Sequence, residues 1–387
     1  MVKAIKVMLI PNNVQKTKLF QYAGASRFAY NWALAREIEN YEKGGKFLSD
    51  AELRKEFTKL RHSDEYAWLL NISNNVTKQA IKDACTAYKN FFKGLQKFPR
   101  FKSKKRSMPK FYQDNVKIRF SNTHVKFEGF SSSRKANKQK MNWVRLAEHG
   151  RIPTDVKYMN PRISFDGLNW WISVCVEFPD CRETLNDDGV GIDLGIKDLA
   201  VCSDGTKYKN INKSQKVKKS EKQKRRLQRS ISRSYEKNKK GESYCKTNNV
   251  IKKEKLLLKR NHRLTNIRKN YLNQTISEIV NRKPRFICIE DLNVSGMMKN
   301  RHLSKAVQAQ GFFWFRKQLE YKCSDKGIQL IVADRFYPSS KLCSCCGNIK
   351  KDLKLSDRVY RCECGNMIDR DFQASINLKT YGEKFAS

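Results

Sequence analysis

The sequence lacks the features that would place the protein in a membrane or outside the cell. No stretch approaches the roughly 20 consecutive apolar residues that a membrane-spanning helix needs. The opening MVKAIKVMLIPNN has too short an apolar run for a signal peptide. We therefore expect a soluble protein of the cytoplasm.

Acidic residues are also scarce. The 387 residues include 80 Lys and Arg but only 38 Asp and Glu, which gives a formal net charge of +42. Such an excess repels itself and favours a polyanionic partner. Aromatic residues, 11% of the chain, offer stacking surfaces for bases. Nucleic acid is the first candidate partner and an anionic membrane surface the second, and the length predicts two or three domains.

The apolar pattern predicts a mixed fold, α/β with an α+β N-terminal part. Helical spacing predicts three helices near the start, at residues 16–43, 50–60 (with Asp50 as N-cap) and 75–93. Alternation predicts strands at residues 2–10, 115–128, 142–147 and 161–178, the last with a hairpin turn at Asp166-Gly167. We interpret these strands as a small β-barrel in which one connection was expanded by the helices.

Two segments concentrate positive charge. Residues 96–110 alternate basic side chains with phenylalanines, and residues 210–285 are helical and strongly basic. A solvated linker and a solvated helical face are the ordinary interpretations, but a nearly pure positive excess favours contact with phosphates. The candidate nucleic-acid-binding residues are Arg100, Lys102, Lys104, Lys105, Arg106, Lys224, Arg225, Arg226 and Arg229.

Five of the twelve cysteines crowd into residues 343–364. Cys343-x-x-Cys346 and Cys362-x-Cys364 are each followed by glycine, and four thiolates at this spacing suit tetrahedral zinc. The second pair is one residue shorter than usual, and Cys345 is a rival ligand. The sequence predicts a structural zinc site, with reduced cysteines that bind no metal as the alternative, and it favours neither disulfides nor a catalytic zinc.

Three acids stand at positions that suit a second metal site. Asp193 lies mid-strand between glycines, Glu290 ends the apolar strand RFICIE, and Asp371 precedes the helix start FQASINL. Singly they have ordinary interpretations, as an edge-strand or turn aspartate and as a first-turn acid favoured by the helix dipole. Together they could bind paired Mg²⁺ ions that hydrolyse a phosphodiester. A nuclease is the leading hypothesis.

The ordered motifs GIDLGIKDLAV, FICIEDLNVSGM and SSKLCSCCG…CECG…DRDFQASINL resemble the TnpB family of insertion-sequence proteins. The resemblance implies an RNA-guided, Mg²⁺-dependent DNA endonuclease in a prokaryotic cytoplasm, associated with the nucleoid. Its partners would be a guide RNA from the element's end and double-stranded target DNA, with no membrane. Asp193, Glu290 and Asp371 match the family's catalytic acids by motif, whereas Gln373 stands where the family usually has Asn.

The resemblance also implies a domain layout. A β-barrel wedge domain would comprise residues 1–10 and 96–185, with a helical recognition insert at 11–95. A ribonuclease H-like RuvC nuclease domain would comprise residues 186–335 and 366–387, including basic helices at 211–285. A zinc ribbon would occupy residues 336–365. The alternatives are a nuclease-inactive RNA-guided repressor, a DNA transposase, and an unguided nuclease or junction resolvase.

Overall fold

The structure is a computed structural model that describes residues 1–130, 139–179, 183–354 and 357–386. The chain divides into two units, Met1–Pro179 and Asp180–Ser387. Some residues of the expected domains lie outside the described residues. They are 131–138 and 180–182 of the wedge domain, 355–356 of the zinc ribbon and 387 of the nuclease domain.

The first unit contains the three helices that the apolar spacing predicts. They are α1 (Asn13–Glu42), α2 (Asp50–Arg61) and α3 (Asn74–Phe92), followed by a single turn, α4 (Gln139–Asn142). The prediction that Asp50 caps α2 is wrong, because Ser49 does so. The Ser49 hydroxyl accepts the Glu52 N–H, and the Glu52 carboxylate accepts the Ser49 N–H, a reciprocal pair that Asp50 cannot form from inside the helix.

The first unit also contains one antiparallel sheet of seven strands. They are β1 (Val2–Ile10), β2 (Lys110–Tyr112), β3 (Arg119–Phe120), β4 (His124–Lys126), β5 (Trp143–Leu146), β6 (Tyr158–Phe165) and β7 (Trp170–Glu177). Their order is β2-β6-β7-β1-β5-β4-β3. The hairpin turn at Asp166 is confirmed, since its carboxylate accepts the N–H groups of Leu168 and Asn169. Closure into a barrel stays a prediction.

The second unit is built on a five-stranded mixed sheet. Its strands are β8 (Val190–Leu194), β9 (Asp198–Cys202), β10 (Lys207–Lys209), β13 (Phe286–Glu290) and β14 (Gln329–Ala333). The order is β10-β9-β8-β13-β14, with β13 parallel to both neighbours and the other pairs antiparallel. Two short hairpins are formed by β11 (Lys239–Lys240) with β12 (Ser243–Tyr244), and by β15 (Val359–Arg361) with β16 (Met367–Asp369).

Six helices complete the second unit in the described part of the chain. They are α5 (Gln215–Lys237), α6 (Asn248–Asn281), α7 (Val294–Lys299), α8 (Ser304–Gln310), α9 (Phe312–Lys326) and α10 (Arg370–Phe385). The sequence predicts one helix at 305–322, but Gly311 divides it into α8 and α9 because its φ of 72° is left-handed. Helices α5 and α6 run antiparallel, with Glu221 against Arg268 and Tyr235 against Glu254.

The two faces of this sheet are covered differently. Ile287 and Ile289 of β13 belong to an apolar cluster with residues of α6 and α9. Phe286 and Cys288, which point the opposite way, pack against Leu378 of α10. Since residues alternate along a strand, the side chain of Glu290 lies on the α10 face. This alternation decides where the acids meet.

Candidate functional site

The β8–β13 pairing brings the first two predicted acids side by side. In this parallel ladder Ile192 is opposite Ile289, so Asp193 and Glu290 follow as neighbours on strands about 4.8 Å apart. Asp193 has the same facing as Gly191, whose α-carbon lies against α10. Both carboxylates therefore lie on the α10 face, at the ends of the strands.

Gly191 allows α10 to come close enough to complete the site. A Cβ built on this glycine would overlap the carbonyl oxygen of Ser375 and the backbone nitrogen of Lys379. Only a residue without a side chain permits this approach. Asp371 lies in the first turn of α10, near enough for its charge to act on Asp193 and Glu290.

The neighbouring Asp369 is the N-cap of α10. Its carboxylate accepts the N–H groups of Asp371 and Phe372, both at 3.1 Å, and so caps α10. Burial acts against its charge, but the Phe372 N–H and the nearby Lys207 hold the pKa of Asp369 below its usual value. Asp369 therefore caps α10, and the choice of Asp371 over Asp369 as the third acid stays a prediction.

The charges of neighbouring acids act on the pKa values of Asp193 and Glu290. Burial, followed by the charges of Glu290 and Asp371, raises the pKa of Asp193 well above its usual value. Burial and the charge of Asp371 likewise raise the pKa of Glu290. Arg370, whose guanidinium is 3.5 Å from an Asp371 carboxylate oxygen, lowers both pKa values. Clustered carboxylates with this mutual repulsion are the environment in which a bound divalent cation is most stabilising.

Ser339 is a contact that the sequence interpretation missed. Its hydroxyl donates a hydrogen bond to Glu290 and holds the pKa of that carboxyl lower than burial alone would. Asn377 of α10 fixes the segment, because its amide donates to the carbonyl oxygens of Ser339 and Leu342, both at 2.7 Å. In the sequence, Ser339 is visible only as a serine shortly before the cysteine motif, and its position along the chain does not indicate that it contacts Glu290.

The four predicted zinc ligands lie together. The sulfur atoms of Cys343, Cys346, Cys362 and Cys364 are all within 4.8 Å of one another. The Cys343–Cys364 and Cys346–Cys362 sulfur pairs are each 3.6 Å apart, near the ~3.8 Å edge of a tetrahedron with Zn–S bonds of about 2.3 Å. The exposed Cys345 is outside this group, so the shortened Cys-x-Cys spacing does not require it.

The thiols of this group differ in pKa: that of Cys343 is lowered, whereas the neighbouring thiols raise those of Cys346 and Cys364. Burial acts against ionisation, but the backbone N–H groups of Cys346 and Cys345 and the Asn366 amide lower the pKa of Cys343 to about 6. The thiolate is the form that binds zinc.

Gln373 connects the cysteine segment to α10. Its side chain is fully buried and donates to the Leu342 carbonyl oxygen at 2.6 Å. Its own carbonyl oxygen accepts from the Ser344 hydroxyl at 2.9 Å and the Asn366 amide at 3.3 Å. The departure from the usual Asn thus leaves a satisfied side chain that ties the first turn of α10 to both cysteine pairs.

The predicted basic residues lie in two cavities beside α5, on the exposed surface of the first unit, or, for Lys102, over an aromatic ring. Arg225, Arg226 and Arg229 line a cavity of about 740 Å³ between α5, α6 and α8, and Lys224 lines a neighbouring one of about 460 Å³. In the first unit Arg100, Lys104, Lys105 and Arg106 are exposed.

Lys102 differs from the other basic residues. Its ammonium group lies 3.0 Å from the centre of the Tyr30 ring, and its backbone is bonded to Asn31. Burial lowers the pKa of Lys102 to about 7.

The sequence is similar to proteins named as putative RNA-guided DNA endonucleases. The chain is 30% identical over 379 residues to "Putative RNA-guided DNA endonuclease InsQ" of Escherichia coli (strain K12), covering 93% of this chain and 87% of that protein. The chain belongs to the TnpB family. A second family relative, "Putative RNA-guided DNA endonuclease" of Streptomyces pristinaespiralis, is 29% identical over 98% of this chain and 89% of that protein.

Family models agree with this assignment. One described as "Probable transposase" matches residues 173–301, and one described as "Cas12f1-like, TNB domain" matches residues 312–378. A third, described as "Helix-turn-helix domain", matches residues 1–46, where the structure has the strand β1 and the single long helix α1.

A solved structure agrees in fold. A chain of "Cryo-EM structure of the Cas12f1-sgRNA-target DNA complex" superposes with a TM-score of 0.55 over 98% of both chains at 12% identity.

None of the helices in the described part of the chain combines the length and the apolar character that a membrane span requires.

Proposed function

We propose that this protein is an RNA-guided DNA endonuclease encoded by a transposable element. The observation that carries the proposal is the pairing of β8 with β13, which sets Asp193 beside Glu290 on the face covered by α10, with the charge of Asp371 acting on both. A purely structural role would pair each acid with a cation and would not require three acids close together. The names of the relatives in E. coli and S. pristinaespiralis support the guided reaction on DNA.

The residues present fit a divalent metal. Carboxylate oxygens are the ligands that Mg²⁺ prefers, and Asp193, Glu290 and Asp371 would hold it. When bound, paired Mg²⁺ would activate water and stabilise the leaving oxygen of the phosphodiester. In the chain itself, the Ser339 hydroxyl and the positive charge of Arg370 both oppose the rise that burial causes in the pKa of Glu290. The same reasoning assigns structural zinc to the four clustered cysteines.

The domain layout is part of the proposal. The order β10-β9-β8-β13-β14, with three antiparallel strands followed by two parallel ones, supports a ribonuclease H-like RuvC domain in the second unit. The seven-stranded sheet supports the wedge domain, and α1 to α3 the helical recognition insert. The basic cavity beside α5 would bind the nucleic-acid backbone through Arg225, Arg226 and Arg229.

The test uses the protein purified with its co-expressed RNA. We expect Mg²⁺-dependent cleavage of DNA that matches the variable end of that RNA, and loss of cleavage in Asp193→Ala. Asp198→Ala is a matched control, since Asp198 lies on the adjoining strand β9 outside the proposed acid set. Cleavage that survives in Asp193→Ala would refute the site, and cleavage without RNA would refute guidance. Guided binding without cleavage by the native protein would identify the repressor instead.

A further inference from the structure

A short, ordered segment of chain joins the four clustered cysteines to the acids. Ser339, whose hydroxyl donates to Glu290, lies four residues before Cys343 in the sequence. The stretch between them is folded as a single turn, because the Leu342 N–H donates to the Pro338 carbonyl oxygen at 3.0 Å. A displacement of Cys343 would therefore move Ser339 as well.

Asn377 of α10 holds both ends of this turn. Its amide donates to the carbonyl oxygens of Ser339 and Leu342, both at 2.7 Å. A side-chain amide has two N–H donors, so both are used here. Asn377 and Ser339 are only 2% and 4% exposed. Water does not replace a bond lost at this depth, and a shift of the turn would leave a buried donor unpaired.

The Leu342 carbonyl oxygen is shared with the cysteine side of the segment. It accepts from Gln373 at 2.6 Å as well as from Asn377. The carbonyl oxygen of Gln373 in turn accepts from the Asn366 amide, which also lies 3.4 Å from the Cys343 sulfur. A continuous series of hydrogen bonds therefore runs from Cys343 to the turn.

The cysteine segment has little apolar packing to hold it in place. Cys343 and Tyr360 are the two buried residues among those described in the range 343–368. So small an apolar core does not stabilise a fold by itself, and segments of this kind take their structure from a bound metal. Metal at the four cysteines would fix Cys343, and with it the Leu342 carbonyl that Asn377 binds.

We propose that Asn377 and Ser339 are positioning residues that link the cysteine site to the acid site, so that metal binding at either site strengthens metal binding at the other. The inference rests on the metal sites of the proposed function. Asn377 keeps Ser339 against Glu290 only while Leu342 is held from the cysteine side. The alternative is that α10 and the sheet hold Ser339 without the cysteines, and it predicts that the two sites bind metal independently.

The first test measures metal binding without cleavage. Binding of Mn²⁺, a probe for Mg²⁺, to the RNA-loaded protein is followed by electron paramagnetic resonance before and after zinc is removed with a chelator. The Mn²⁺ that remains bound in Asp193→Ala is subtracted as RNA-bound. We expect zinc removal to raise the dissociation constant for Mn²⁺ about 5- to 150-fold, the usual range of coupling between two sites. An unchanged dissociation constant would overturn the proposal.

The second test is the reverse measurement, which does not need zinc-free protein. Linkage requires Mn²⁺ to strengthen zinc binding by the same factor as zinc strengthens Mn²⁺ binding. Zinc affinity is measured by competition with a zinc-selective fluorescent chelator, with and without Mn²⁺. If the zinc-free protein unfolds, this measurement decides by itself, and a zinc affinity that does not change with Mn²⁺ would sink the link.

Variants separate positioning from general folding. Ser339→Ala removes the contact with Glu290 and keeps the main chain of the turn, so the effect of zinc on Mn²⁺ binding should disappear, and Ser339→Thr should restore it. Asn377→Ala should also uncouple the two sites. Ser340→Ala, one position along the same segment, is the matched control and should keep the full effect. Equal zinc dependence in Ser339→Ala and the native protein would show that the link does not pass through Ser339.

The outcomes also separate this inference from the nuclease function. Coupled metal binding in a native protein that does not cleave DNA would support the link and refute the nuclease. Cleavage by a protein whose Mn²⁺ binding is unaffected by zinc would refute the link and support the nuclease.

Discussion

The hydrogen bond from Ser339 to Glu290 allows the electrostatics of the site to be tested at a single atom. Ser339→Ala removes the hydroxyl and keeps the main chain, whose carbonyl oxygen still accepts from Asn377. A hydrogen bond to a charged group contributes about 1.5–3 kcal/mol. Since about 1.4 kcal/mol corresponds to one pKa unit, the pKa of Glu290 should rise by about one unit or more.

The sign of the effect on activity follows from the ionised form being the metal ligand. Burial already raises the pKa of Glu290, and Ser339 opposes that rise. Without the hydroxyl the carboxyl stays protonated to a higher pH, so the acid limb of the cleavage rate moves to higher pH. Because the charge of Glu290 raises the pKa of Asp193, the two acids titrate together and this limb reports the acid cluster rather than one residue.

The assay is single-turnover cleavage across pH, paired with Mn²⁺ binding followed by electron paramagnetic resonance. Ser339→Ala should shift both curves to higher pH, and Ser339→Thr, which keeps the hydroxyl, should restore them. Ser277→Ala, which removes a serine bonded only to Lys322 among the contacts described, is the control. An unchanged acid limb in Ser339→Ala, with a normal melting temperature, would show that the hydroxyl does not tune the carboxylate.

Three further outcomes follow from packing, metal binding and charge. Gly191→Ala should lower the free energy of unfolding by about 1–3 kcal/mol through overpacking against α10, whereas Gly24→Ala, with open space around its α-carbon, should not; equal melting temperatures would contradict this. Cys362→Ser should reduce bound zinc measured by elemental analysis and destabilise the ribbon, and native protein purified without zinc would refute the metal assignment. Arg225→Gln with Arg229→Gln should reduce the slope of log binding constant against log salt by about 1.8, and an unchanged slope would remove them from the nucleic-acid surface.

The parts of the fold that the sequence predicts well are those with a strong local period. Residues 2–10 and the three early helices follow such patterns and are found within a few residues of their predicted ends. Two predictions were wrong, the cap of α2 and the single helix at 305–322, because apolar periodicity carries no information about capping or about backbone conformation at glycine. Ser49 outcompetes Asp50 as a cap because of a residue three positions on, and Gly311 breaks a helix through its backbone.

The candidate site also contains residues that the sequence predicts and residues that it does not. Asp193 and Glu290 stand out because a carboxylate inside or at the end of an apolar strand is conspicuous. Ser339 and Asn377 do not, because their roles depend on contacts 49 and 38 residues away along the chain. For Lys102 the structure adds a contact that the basic run does not predict, its ammonium group lying over the Tyr30 ring, and its contact with phosphate stays a prediction.

The position of α10 along the chain, after the strands that carry the other two acids, also affects when the three acids can meet during synthesis. Helices α5 and α6, with most of the basic cavity, leave the ribosome well before residue 371 does. The sheet can form around β8 and β13, yet its end lacks one acid until α10 docks on the bare backbone of Gly191. The nascent chain thus exposes the basic helices first and acquires all three carboxylates only after α10 has been translated.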